Sequence, residues 1–203
     1  MHYLWWLASR ASGVVALVLI SLSVLMGLAM AARVLRRPSL KRTFSRLHQH
    51  VAITALCAIA VHGLTLLGDP WLHPGIAGLA IPFRLAYRPQ ATGLGIIAGY
   101  LAAIVGPSFY IRRRLGAGRW RKLHRLSALV WVLSAIHTLG SGSDAGRPWL
   151  RALVLAPVMP LAYLLVQRAL RGSARPAGAG GAARPAPPIR SPAPLPVAGA
   201  GTS

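Results

Sequence analysis

Long uncharged blocks of apolar residues constrain this chain more than any other feature. Hydrophobic residues make up 55% of its 203 positions, and only Asp69 and Asp144 are acidic. A helix needs about 20 predominantly apolar residues to cross a hydrocarbon core roughly 30 Å thick, and several blocks reach that length. The pattern therefore predicts an all-α integral membrane bundle whose surroundings are the lipid bilayer.

Five blocks are long enough to be transmembrane helices. In chain order they cover about residues 11–32, 47–67, 91–110, 123–140 and 149–167. Pro157 and Pro160 lie inside the last block, and we expect them to kink that helix. Within the connection over residues 68–90, the apolar segment 71–83 contains Pro74 and Pro82. These prolines disfavour another crossing, so we place the segment in the membrane interface.

The basic residues predict an orientation. Of the 23 Lys and Arg residues, 18 lie in the loop 33–46, in the segment 112–125 or from residue 168 onward, and the other five lie on the opposite side. Basic loops stay in the cytoplasm, so we predict an outer N-terminus and a cytoplasmic C-terminus. This distribution also accounts for the net charge of +21 without a nucleic acid partner. Residues 1–170 form the predicted membrane domain, and the Ala-, Pro- and Gly-rich segment 171–203 predicts a disordered cytoplasmic tail.

Histidines recur at matching depths in the second and fourth predicted crossings. His48 and His62 are 14 residues apart, which in a helix is about 21 Å along the axis and about 40° around it. His124 and His137 are 13 apart, which leaves them about 140° out of phase in a straight helix. Because both helices run outward, the predicted pairs are His48 with His124 near the inner surface and His62 with His137 near the outer one.

Each histidine pair suits a planar cofactor better than a bare ion. Two neutral imidazoles on opposite faces of a porphyrin iron give a six-coordinate haem, which is suited to electron transfer. We therefore predict two haems b between the second and fourth crossings, with His48, His62, His124 and His137 as the iron ligands. His50 is a rival inner ligand, but its spacing of 12 from His62 places it about 120° off the line.

Other functions remain open for the same histidines. A zinc or copper site needs ligands converging on one ion at about 2 Å, which residues about 21 Å apart on one helix cannot do. A proton relay usually recruits Asp or Glu, and neither acid lies in the middle of a predicted crossing. The remaining alternative is a haem-free multi-pass protein that transports protons or metals or acts as a structural subunit.

Three further residues lie at or between the histidine levels. Gly13 and Gly27 on the first predicted helix are also 14 apart, and they would let a cofactor approach closely. Ordinary helix packing through small residues explains the same glycines. Trp131 lies midway between His124 and His137, and we interpret it as a packing residue.

The paired spacings, with a basic loop before each helix, resemble the ferric reductase-like transmembrane domain. That superfamily includes ferric reductases, NADPH oxidases and the haem-binding subunit of the bacterial methionine sulfoxide reductase system. The segments LHQH…AVHGLT and KLHRLS…AIHTLGSGSD are similar to small bacterial members in particular. The resemblance spans about residues 12–167. It implies that the four histidines bind haem and that electrons cross the bacterial inner membrane.

This chain departs from the fuller members of that family. Those members have six helices, and the leading one is absent from the predicted set. Many also carry a cytoplasmic flavin and nicotinamide domain, whereas no Gly-rich dinucleotide motif follows a strand here. We therefore expect an electron-transfer subunit of an oxidoreductase, with a separate flavoprotein or quinol as donor and a separate outer acceptor.

Overall fold

The computed structural model describes residues 2–35 and 37–173 as a helical protein. Within those ranges every regular element is a helix. The predicted tail lies outside the described residues from position 174 onward. The elements are α1 (His2–Ala31), α2 (Pro38–Leu67), α3 (Gly75–Ala80), α4 (Pro89–Val105), a 3₁₀ turn (Pro107–Phe109), α5 (Arg112–Leu115), α6 (Ala117–His124), α7 (Ser127–Ser141), α8 (Pro148–Leu155) and α9 (Val158–Ser173).

Among the described residues, four helical stretches are long and apolar enough to cross a membrane. They are Tyr3–Ala31, Pro38–Leu67, Pro89–Phe109 and Pro148–Leu170, and they correspond to the first, second, third and fifth predicted crossings. The fourth predicted crossing is represented by α7, whose 15 residues span about 22 Å. That length is shorter than the hydrocarbon core, so the total of five crossings stays a prediction that rests on α7.

Helix α2 begins well before the predicted start at residue 47. Pro38 is its first residue, where a fixed φ favours the helix and the missing N–H leaves no bond unmade. The residues that follow include Leu40, Lys41 and Arg42, which are good helix formers. Most of the segment predicted as a basic loop is therefore the first turns of α2, and its cationic side chains project from a helix.

The last predicted crossing is interrupted at a proline, as expected. Helix α8 ends at Leu155 and α9 begins at Val158, with Pro157 between them. Proline cannot donate the hydrogen bond that would continue the helix, and its ring obstructs the preceding turn. Pro160 lies in the first turn of α9, where its missing N–H costs no hydrogen bond within that helix.

The bundle is built from two helix pairs. Helix α1 packs along α2, α4 packs along α7, and α1 also contacts α7 and α9. Their shared core contains Ile20, Ala55, Ala102 and Val130, with Trp131 packed against it. Large apolar side chains also cover the outside of the bundle, as expected of a surface that faces lipid; they include Val18, Leu22, Ile53, Leu64 and Ile104.

Candidate functional site

The bundle brings the four predicted histidines together as two pairs. His48 and His62 lie on α2, His124 is the last residue of α6, and His137 lies on α7. The ring centres of His48 and His124 are 6.1 Å apart, with the ring planes at 88°. Those of His62 and His137 are 6.3 Å apart, at 72°. These are the pairs predicted from the spacing, whereas the rival His50 is exposed on α2.

A change of winding between α6 and α7 helps to bring His124 and His137 into line. The backbone here makes hydrogen bonds of the i to i−3 type, donated by the N–H groups of Arg125, Leu126 and Ala128 at 3.0–3.3 Å. A 3₁₀ helix turns about 120° per residue and an α-helix about 100°. Three residues wound this way add about 60°. That rotation closes a little under half of the 140° mismatch of a straight helix.

Backbone carbonyls hold both rings of the outer pair through Nδ1. The Nδ1 of His62 lies 2.8 Å from the carbonyl oxygen of Ser9 on α1. The Nδ1 of His137 lies 2.9 Å from the carbonyl oxygen of Ala91 on α4. A carbonyl oxygen only accepts, so in each ring Nδ1 carries the hydrogen and Nε2 keeps the lone pair that binds a metal. Metal-ligating histidines are oriented in this way.

The rings of the inner pair are held differently. The Nδ1 of His48 lies 3.4 Å from the hydroxyl oxygen of Ser23 on α1. The Nδ1 of His124 is buried and has no hydrogen-bond partner within the described part of the chain. The ring of Trp120 stacks on His124 instead, with the centres 5.0 Å apart and the planes 20° apart. Side chains therefore orient the inner rings, and main-chain carbonyls orient the outer ones.

The ring separations fit one metal shared by each pair. Metal-to-imidazole nitrogen distances are about 2 Å, and a five-membered ring with bonds of about 1.33 Å has a radius of about 1.1 Å. Two rings on opposite sides of one metal therefore have centres about 6.2 Å apart, and the observed distances are 6.1 and 6.3 Å. Among the described residues there is no group of three or more His, Cys, Asp or Glu that could hold an ion. Two protein ligands suit a haem, which brings its own four nitrogens.

Three glycines pack against the histidine rings. A Cβ added to Gly13 would lie 3.0 Å from Nδ1 of His62, and one added to Gly27 would lie 3.5 Å from Cε1 of His48. A Cβ on Gly95 of α4 would overlap the ring of His137. Gly13 and Gly27 thus lie at the two predicted levels, and there they make room for the imidazoles themselves.

Sequence reasoning did not identify Ser9, Ala91 and Gly95 as part of the site. One signal for Ser9 was available in the pattern Ser-x₃-Gly, which occurs at residues 9–13 and again at residues 23–27 of α1. The two copies are 14 residues apart, the same spacing as His48 and His62. Because the spacing on α1 equals the histidine spacing on α2, one Ser-x₃-Gly copy can contact each histidine of α2.

Trp131 lies between the two levels and packs as predicted. Its ring packs against the apolar core, and its Nε1 donates to the hydroxyl of Ser21 at 2.9 Å. The hydroxyl of Ser21 in turn donates to the carbonyl of Leu17 at 2.8 Å. The indole is therefore fixed at both its apolar and its polar edge.

Comparison with known proteins identifies the family. No solved structure matches this chain. Residues 12–135 match the family model described as the ferric reductase like transmembrane component. The matched segment contains His48, His62 and His124, and it ends two residues before His137. Because the match covers more than half of the sequence, the resemblance seen in the histidine spacing is confirmed. The chain is a multi-pass membrane protein that belongs to the ferric reductase-like transmembrane family, a family of membrane electron-transfer components.

Proposed function

We propose that this protein is a transmembrane b-type di-haem cytochrome subunit. The inner haem is bound by His48 and His124, and the outer haem by His62 and His137. The separation of the ring centres in both pairs carries the proposal, since 6.1 and 6.3 Å match two imidazoles that share one metal. Membership of a family whose domains generally bind haem supports it.

The protein orients the histidine ligands and separates the two sites by apolar packing. A haem iron with both axial positions filled supplies reversible one-electron chemistry with no open position for oxygen. The carbonyls of Ser9 and Ala91 hold the outer imidazoles in the tautomer that presents Nε2. Between the two levels the core is apolar, with Ile20, Val130 and Trp131 among its members. Apolar packing of this kind disfavours water in the space that separates the two sites.

The charge distribution supports outward electron transfer from a cytoplasmic donor. Helix α6 carries His124 at its end and three other basic residues, Arg119, Arg121 and Lys122. The basic surface formed by these three residues of α6 therefore begins at the inner histidine pair. Such a surface favours an acidic soluble partner by electrostatic steering, and a flavoprotein of that kind or a quinol is the proposed donor. The outer acceptor is a separate molecule, and the membrane is the bacterial inner membrane with the C-terminus inside.

A spectrum and a haem count test this proposal. We expect the purified full-length protein to give a b-type reduced-minus-oxidised spectrum with two haems per chain. His62→Ala and His137→Ala should each remove the same outer haem, and His48→Ala and His124→Ala the same inner one. His50→Ala is the matched control, because His50 is exposed on the same helix, and it should keep both haems. A colourless preparation from haem-replete cells would refute the proposal.

A further inference from the structure

A glycine of a neighbouring helix packs against three of the four histidine rings, and it always has the same position in that helix. In each case the histidine Nδ1 faces a residue of a neighbouring helix, and the residue four positions later on that helix is glycine. The three sets are His62 with Ser9 and Gly13, His137 with Ala91 and Gly95, and His48 with Ser23 and Gly27.

The offset of four has a physical reason. In an α-helix the carbonyl of residue i accepts a hydrogen bond from the N–H of residue i+4, which leaves its second lone pair free. The side chain of residue i+4 lies beside that lone pair. Helix α1 illustrates this, because the Ser21 hydroxyl donates to the carbonyl of Leu17 at 2.8 Å. Glycine at i+4 removes the side chain, so an imidazole from another helix can reach the carbonyl.

The space available differs at the three positions. An added Cβ would overlap the His137 ring at Gly95, would lie 3.0 Å from the His62 Nδ1 at Gly13, and would make an ordinary 3.5 Å contact with His48 at Gly27. At Gly95 a methyl group therefore has no room while the His137 imidazole stays on its carbonyl, and at Gly13 the His62 ring must move away by a few tenths of an ångström. At Gly27 the methyl group needs little adjustment.

We propose that Gly13 and Gly95 are positioning residues for the outer pair, each exposing the helix carbonyl that holds one imidazole. At the inner pair Gly27 only makes room for the His48 ring, whose Nδ1 faces the hydroxyl of Ser23. This inference rests on the proposed function, because the positioned rings are the proposed haem ligands. A hydrogen bond from Nδ1 to a carbonyl makes the imidazole a more basic ligand. The two glycines thus set the electron donation to the outer haem iron, and its reduction potential with it.

Alanine substitutions in the full-length haem-loaded protein test the proposal. The variants are Gly95→Ala, Gly13→Ala and Gly27→Ala, with Gly99→Ala as the matched control. Gly99 lies one turn after Gly95 on α4, and an added Cβ there meets no atom within 4 Å. Each protein is measured by haem content, by the electron paramagnetic resonance of the oxidised state, and by a redox titration that resolves the two haems.

The expected results are graded. Gly13→Ala should raise the reduction potential of the outer haem and shift its resonance signal, because a lengthened hydrogen bond weakens electron donation to the ferric iron. Gly95→Ala should do the same or remove the outer haem, whereas Gly27→Ala should affect only the inner haem, and least of the three. Gly99→Ala should match the wild type.

Two kinds of result would overturn the inference. One is an outer haem with wild-type potential and signal in Gly95→Ala. The other is loss of both haems together from that variant, since a positioning role at the outer level leaves the inner site intact. A wild-type protein without haem would instead refute the proposed function itself, so the two failures are distinguishable.

Discussion

Replacing Trp120 should loosen the inner histidine pair in a measurable way. Trp120 and His124 are four residues apart on α6, so their side chains share one face of the helix. Their rings stack, and the ring of Phe109 makes an edge contact with the indole, with the ring centres 6.2 Å apart. Because the His124 Nδ1 finds no hydrogen bond within the described residues, the Trp120 stack is one of the ring contacts that restrain it, besides the contact with His48. An aromatic stack contributes about 0.5–1.5 kcal/mol beyond area burial. Trp120→Leu should therefore raise the fraction of time that the His124 ring is detached by about two- to tenfold.

Carbon monoxide binding to the reduced protein measures that detachment, because the gas needs an open axial position on iron. We expect Trp120→Leu to increase the CO-reactive fraction of the proposed inner haem, while Trp120→Phe keeps most of the wild-type behaviour because it can still stack. Trp149→Leu, the same change at an exposed position on α8, serves as the control. A wild-type CO-reactive fraction in Trp120→Leu, or an increase confined to the outer haem, would refute the stacking argument.

Two further predictions concern the charged groups. Arg10 and Asp144 form an ion pair at 2.5 Å that connects α1 to the turn after α7, and the Arg10 side chain is 34% exposed. Because a partly exposed ion pair contributes little, we expect Asp144→Asn to lower the free energy of unfolding by at most about 1 kcal/mol. An effect on thermal unfolding that persists in high salt would contradict this assignment. We also expect haem reduction in proteoliposomes to require a flavoprotein in addition to NADPH, and to slow as ionic strength rises and the Debye length falls to about 8 Å or less. Rapid reduction by NADPH alone would show a dehydrogenase activity in the chain. Reduction by quinol alone that does not depend on salt would place the donor in the membrane.

The placement of His48 and His62 on one face of α2 could be predicted, because helical periodicity decides it. Fourteen residues are close to four full turns, so His48 and His62 share a face of α2 whatever surrounds them. The connection before α7 could not be predicted in the same way. Its i to i−3 hydrogen bonds at Arg125, Leu126 and Ala128 follow from how α6 meets α7, and no residue type there demands them. The early start of α2 carried a local signal in Pro38, but the density of basic charge favoured a loop.

The atoms that orient the outer imidazoles are of a kind that sequence cannot name. Every residue supplies the same carbonyl, so the residue types of Ser9 and Ala91 do not distinguish them. The glycine four positions later does, because it leaves that carbonyl accessible to another helix. The inner pair is oriented by a hydroxyl and an indole, which are side chains and can rotate. A carbonyl fixed in a helix cannot rotate without breaking that helix. We therefore expect the outer site to keep one geometry, and the inner site, which borders the basic surface of α6, to be the one that responds when a donor binds.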